Sequence, residues 1–219
     1  MTLDALIFDV DGTLAETEEV HRQAFNRAFS EAGLDWHWDG ETYGGLLTVS
    51  GGKERIRMFS PESDDELIGR LHRRKVQHYT SMTASGALVL RPGIETLIAE
   101  ARRAGIRLAI ATTSSHASVD ALLAERLDWF DVVVCTEDAP VKKPDPQAYL
   151  VALERLKLAP GTCLAVEDSG NGVRAARSAG LAVVVCRSAY TEGEDFSGAL
   201  AVYPDFSAVG LGDLKALLG

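Results

Sequence analysis

Five short apolar runs, none with a clean in-out alternation, recur along the chain with helical patterns between them: Ala5 to Asp9, Arg107 to Thr112, Asp131 to Cys135, Cys163 to Glu167 and Ala182 to Cys186. Strands that lack alternation are covered on both faces, as parallel strands are. The intervening helical patterns run over Gly93 to Ala104, Ser115 to Leu127, Asp145 to Leu158 and Gly170 to Ala179. This order predicts an α/β fold, a doubly wound (Rossmann-like) parallel sheet with right-handed crossovers and a ligand site beyond the carboxyl ends of the strands.

One interval departs from the alternation. Between Thr17 and Ser81 the pattern is helical throughout, with Val20, Ala24, Phe25, Ala28, Phe29 and Ala32 on one stripe of a helix that Gly33 would end. Further helical stretches are expected at Asp39 to Leu47, Gly52 to Phe59 and Asp64 to Tyr79. A chain of 219 residues suits one core domain carrying a smaller insertion. We therefore expect a core over residues 1–16 and 86–219 and a small helical cap domain over 17–85, joined through Ala15 to Glu18 and Ser85 to Pro92. Trp36 and Trp38 read as packing residues of that cap.

Lys and Arg number 22 against 32 Asp and Glu, a formal charge of −10, which argues against nucleic acid and anionic membrane as partners. Cys135, Cys163 and Cys186 each lie in or beside an apolar run, at spacings that fit no zinc motif, and read as buried thiols of a reducing compartment. The first strand follows Met1 within a few residues, and no apolar run approaches the roughly 18 residues of a membrane span. A cytoplasmic monomer is the expectation.

The strand ends carry the chemistry. The first run finishes in Asp9-Val10-Asp11-Gly12-Thr13, with two acids on one face of an extended chain, and such like charges repel unless a cation joins them. The second ends in Thr112-Thr113-Ser114, the third is followed by Lys142-Lys143-Pro144, and the fourth ends in Glu167-Asp168-Ser169. Together these supply carboxylates for a metal, hydroxyls, a lysine and two helix N-termini that suit anions. Mg²⁺ favours such oxygen donors and bridges carboxylates to phosphate. A carboxylate can also attack phosphorus, and a second one, given a raised pKa, can serve as acid and then base. Ser169 and Asn171 read as N-capping residues of the helix that follows.

DVDGT at Asp9 to Thr13, Thr112, Lys143 before Pro144 and EDSGNG at Glu167 to Gly172, in this order, resemble the haloacid dehalogenase superfamily of phosphotransferases, in its subgroup with a helical cap. That resemblance implies Asp9 as nucleophile and Asp11 as acid/base. It implies Thr112 and Lys143 as holders of the phosphoryl oxygens, and a Mg²⁺ site made by Asp9, the main-chain carbonyl of Asp11, Asp168 and, through water, Glu167. Dehalogenation is disfavoured, since that chemistry needs neither Mg²⁺ nor Asp11.

Within the cap, Glu18 and His21 share a helical face. Gly51, Gly52, Lys53, Glu54 and Arg55 form a glycine-bearing turn into a helix with two cations, and His72, Arg73, Arg74 and Lys75 are the densest basic cluster of an acidic chain. Two cationic groups besides the phosphoryl site suggest a substrate with a second phosphate. DWHWD at Asp35 to Asp39, GGKERI at Gly51 to Ile56 and ALVLRPGI at Ala87 to Ile94 are similar to the CbbY-type proteins, a group associated with hydrolysis of xylulose-1,5-bisphosphate, an inhibitor of Rubisco. By that analogy a sugar phosphate or bisphosphate would contact Glu18, His21, Gly51 to Arg55, His72 to Lys75, and Thr112, Thr113, Ser114, Ser115, His116, Ala117 and Ser118. Ser118 departs from the asparagine expected there. A β-phosphoglucomutase, which the chain matches at Thr17, His21 and Lys75, and a silent sugar-phosphate-binding module are the rival readings.

Overall fold

The computed structural model describes residues 2–84 and 89–219. The five anticipated strands are present, and a sixth joins them in one sheet: β1 (Ala5–Phe8), β2 (Arg107–Ala111), β3 (Val132–Val134), β4 (Cys163–Glu167), β5 (Ala182–Cys186) and β6 (Ala201–Tyr203). Their order is β3-β2-β1-β4-β5-β6, and all neighbours run parallel. Phe8 is level with Ile110 on one side and Val166 on the other, so Asp9, Thr112 and Asp168 follow at one edge of the sheet.

Both faces of the sheet are covered, as the absent alternation requires. Leu6, Phe8, Leu108, Ile110, Leu164 and Val166 enter one core, while Ala5, Ile7, Ala109, Ala111 and Ala165 enter the other, where Tyr149 packs. Around them lie α1 (Glu18–Glu31), α2 (Gly40–Leu46), α3 (Gly52–Phe59), α4 (Asp65–Ala84), α5 (Ile94–Arg103), α6 (His116–Leu123), α7 (Gln147–Leu156), α8 (Gly170–Ser178) and α9 (Leu211–Ala216). The helix anticipated to reach Leu127 stops at Leu123: Ala124 takes a positive φ of 47°, and a 3-10 turn over Ala124–Trp129 follows. That turn lays Leu127, Trp129 and Phe130 against the core.

Helices α1 to α4 make a cluster of their own from Phe25, Phe29, Trp38, Tyr43, Ile56, Ile68 and Leu71. Trp38 is fully buried, with ring centroids 4.6 Å from Phe25 and 4.8 Å from Phe29, and Trp36 stands edge-on to Phe29. Both tryptophans are therefore packing residues. The outgoing connection at Ala15 bridges to both Asp11 and Leu90. Next to it, the Arg91 guanidinium donates to the carbonyls of Gly12, Cys186 (3.1 Å), Arg187 (2.7 Å) and Pro204 (2.9 Å). The return connection anticipated over Ser85 to Pro92, and the first part of ALVLRPGI, lie partly outside the described residues. Cys135, Cys163 and Cys186 are free and buried, and among the described residues no helix is long and apolar enough to cross a membrane.

Candidate active site

A cavity of about 570 Å³ opens between the carboxyl edge of the sheet and helices α1, α3 and α4. At its floor lie Asp9, Lys143 and Asp168, with Glu167 beneath them, all buried. The Lys143 ammonium donates to Asp9 Oδ1 and Glu167 Oε1, each at 2.6 Å, and the Tyr149 hydroxyl donates to the same Glu167 oxygen at 2.6 Å. Ser188 donates to Asp168 Oδ2 at 2.9 Å. Gly12 (φ 80°) lets the loop after β1 pass this carboxylate, because a Cβ there would lie 2.0 Å from Asp168 Oδ2.

Asp9, Glu167 and Asp168 each offer an oxygen within 4.8 Å of the others. Burial raises the proton affinity of Asp9, aided by Glu167 and Asp11 and opposed by Lys143. Burial, then Asp9 and Glu167, raises that of Asp168. Burial works to lower Lys143, but its two carboxylates outweigh that and raise it. Three buried carboxylates thus share one ammonium, and the site lacks positive charge. Its all-oxygen donor set fits a hard divalent cation.

Asp11 departs from expectation. Its side chain turns away from the acidic cluster towards the cap, where Thr17 donates at 2.5 Å, His21 Nε2 lies at 2.8 Å, and Ser114 donates to its other oxygen. Burial alone would raise its pKa, but His21 and the hydroxyls of Ser114 and Thr17 outweigh this and hold it well below the usual carboxylate range. The raised pKa anticipated for an acid/base is therefore absent. The side chain of Asp11 also lies outside the group of acids that could share an ion, which leaves the main-chain carbonyl as its anticipated metal contact.

Of the anticipated substrate residues, Glu18, His21, Gly51, Gly52, Lys53, Glu54, Arg55, His72, Arg73, Lys75, Thr113, Ser114, Ser115 and Ser118 line the cavity. Four do not. Thr112 is buried behind the wall, its hydroxyl accepting from the Ser114 amide at 3.1 Å. Arg74 lies round the helix and pairs with Glu31 at 2.6 Å on the surface. His116 pairs with Asp138 at 2.8 Å, and Ala117, next to it at the start of α6, points a methyl to solvent. Asn171 does not cap α8, a role that Ser169 fills by accepting from Gly172; instead its amide donates to the Thr48 carbonyl of the cap at 3.1 Å. Tyr190 makes a second such link, donating to Glu19 at 3.0 Å. Lys142, which also lines the cavity, was visible in sequence only as a neighbour of Lys143.

In the cap, burial and the nearby Lys75 lower the proton affinity of His21 despite Asp11, and burial brings Lys75 down to about 8. Tyr43 donates to Glu18 at 2.5 Å and accepts from Arg55 at 3.1 Å. One wall of the cavity thus offers carboxylate oxygens to a metal and a lysine to an anion, while the other presents cations.

The chain belongs to the haloacid dehalogenase-like hydrolases, a family that matches it over residues 3–180. Within that family it is of the CbbY type: it is 51% identical over 216 residues to CbbY of Cupriavidus necator, covering 92% of this chain and 85% of that protein. CbbY from Rhodobacter sphaeroides, solved with phosphate, is 45% identical and superposes with a TM-score of 0.93 over 98% of this chain and all of that one. A variant of the same protein, solved with xylulose-1,5-bisphosphate, gives 0.92 at 45% identity, over 97% of this chain and 99% of that one. The phosphorylated carbohydrates phosphatase of Thermotoga maritima is 32% identical over 189 residues, 82% of each chain. The protein is accordingly a phosphoric monoester hydrolase.

Proposed function

We propose that this protein is a Mg²⁺-dependent sugar-phosphate phosphatase that hydrolyses xylulose-1,5-bisphosphate to xylulose 5-phosphate and phosphate through a phosphoryl group carried on Asp9. The observation that carries the reading is the cavity itself: the Asp9 carboxylate on Lys143 at one wall and, at the other, Lys53 and Arg73 without an ion pair among the described residues, in a chain similar to a protein that binds this bisphosphate.

Asp9 attacks phosphorus as the ester bond to the sugar breaks. Lys143 orients its carboxylate and offsets the charge that gathers on the transferring oxygens. Asp11, held by Thr17, His21 and Ser114, gives a proton to the leaving alkoxide and afterwards takes one from the water that releases phosphate. A phosphoryl dianion arriving beside Asp11 raises its proton affinity from the low value of the empty cavity. Asp9, Asp168 and, at one remove, Glu167 would hold Mg²⁺, which supplies charge neutralisation for the phosphoryl oxygens. The contacts of Asn171 and Tyr190 with the cap keep water from the site during transfer.

The test is phosphate release with Mg²⁺ on xylulose-1,5-bisphosphate, ribulose-1,5-bisphosphate, fructose-1,6-bisphosphate and β-glucose-1-phosphate, with Asp9→Asn as the blank. The expected kcat/KM for xylulose-1,5-bisphosphate exceeds the others by about a hundredfold or more. Isomerised sugar phosphate in place of free phosphate would make the protein a mutase. Binding without turnover, equal in Asp9→Asn, would make it a silent sugar-phosphate binder.

A further inference from the structure

The cations around the cavity fall into two sets. Lys143 is neutralised by Asp9 and Glu167, Arg55 lies 3.8 Å from Glu18, and Lys75 is bound to His21 at 2.7 Å. Lys53 and Arg73 from the cap and Lys142 from the core also line the cavity, and among the described residues none of these three makes an ion pair. The Lys142 ammonium donates to neutral acceptors, the Thr113 carbonyl at 3.2 Å and the Thr136 hydroxyl, and burial lowers its proton affinity against the pull of Glu54 and Glu137. Lys53 is near enough to push the proton affinity of Lys142 down, in the same direction as burial and against Glu54 and Glu137. Lys53 and Lys142 thus line one cavity from the cap and from the core, where a single anionic group can meet both.

We infer that Lys142 is a specificity-determining residue that seats the second anionic group of the substrate from the core side, with Lys53 meeting the same group from the cap. This rests on the bisphosphate reading above. A substrate with one phosphate satisfies Lys143 and brings no anion to Lys53 and Lys142. A bisphosphate spans the cavity and joins the two walls through its distal group, which is a differential interaction with the closed form.

The experiment measures kcat/KM for xylulose-1,5-bisphosphate and for β-glucose-1-phosphate in the wild type, Lys142→Gln, Lys142→Arg and Lys53→Gln, with thermal unfolding as the check on folding. The bisphosphate to monophosphate ratio is expected to fall about tenfold or more in Lys142→Gln, mainly through KM. Lys142→Arg should recover most of it, and Lys53→Gln, at an exposed position, should lower it independently. A ratio unchanged in Lys142→Gln overturns the inference. So does an equal fall in Lys142→Arg, which would assign Lys142 to holding Thr113 and Thr136. A wild type without bisphosphate preference overturns the functional reading first, and this inference with it, before any variant is compared.

Discussion

The side chain of Asp11 faces the cap because two of its partners are there: Thr17 and His21, joined by Ser114 from the core loop after β2, outweigh the crowded acids on the other side of the loop. The sequence made Asp9 and Asp11 conspicuous but was silent on this, since both leave an extended chain on one face and only the loop geometry separates them. The same holds for Arg74, one residue and about 100° round the helix from the buried Lys75. A basic run names the residues; which of them faces the substrate is settled by packing. His72 carries a testable consequence of that packing. Burial, then Lys75, Lys53 and Lys142, depresses its pKa to about 3. A histidine with a depressed folded pKa binds fewer protons than the unfolded chain between about pH 3 and 6.5, so stability falls as pH drops through that window. Denaturant unfolding at about pH 7 and 5 should show the wild type losing up to about 2 kcal/mol more than His72→Gln.

Elements with strong patterns were legible, and weak ones were not. Buried β1, β2, β4 and β5 declare themselves as apolar runs, whereas β6 is a three-residue edge strand whose Val202 is 46% exposed, and α9 spans six residues. Neither leaves a periodic signal long enough to separate it from a loop. The junction of β4 and α8 shows how tightly an element boundary can be tied to chemistry. Gly172 opens α8 against the Glu167 carboxyl, and a Cβ there would lie 1.9 Å from Glu167 Oε2. Gly172→Ala should push Glu167 off Lys143 and leave Asp9 poorly aimed, lowering kcat by about a hundredfold or more with KM much less affected. Steady-state kinetics of the folded variant decide it, and an unaltered kcat would show that Glu167 has room to yield.

The cap as a whole was anticipated from one interval without strands, and helices α1 to α4 of that interval pack on a cluster of aromatic residues. The contacts that hold the cap to the core were not legible, because Asn171 and Tyr190 look like ordinary helix and loop residues until their partners are seen. Across the molecule, the buried acids tie stability to the ion. Asp9 and Asp168 have raised proton affinities, so the metal-free folded protein holds more protons than the unfolded chain above the usual carboxylate range. The part of the stability that these two carboxyls supply should therefore decline as pH rises from about 5 to 7.5, opposite in sign to the part set by His72, and added Mg²⁺ should raise the Tm more at the upper pH than at the lower. Equal shifts at both would place the ion away from these carboxylates.

At the root of the cap, Ala15 bridges directly to Leu90 while Arg91 ties four carbonyls of the core into one knot. The chain thus leaves the sheet and comes back at a single spot, and almost no loop-closure entropy separates the core from a version in which a tight turn stands in for the whole excursion. Inheritance can then treat everything between those bridges as a detachable module, exchanging one substrate filter for another while the phosphoryl-transfer machinery underneath goes on folding as before.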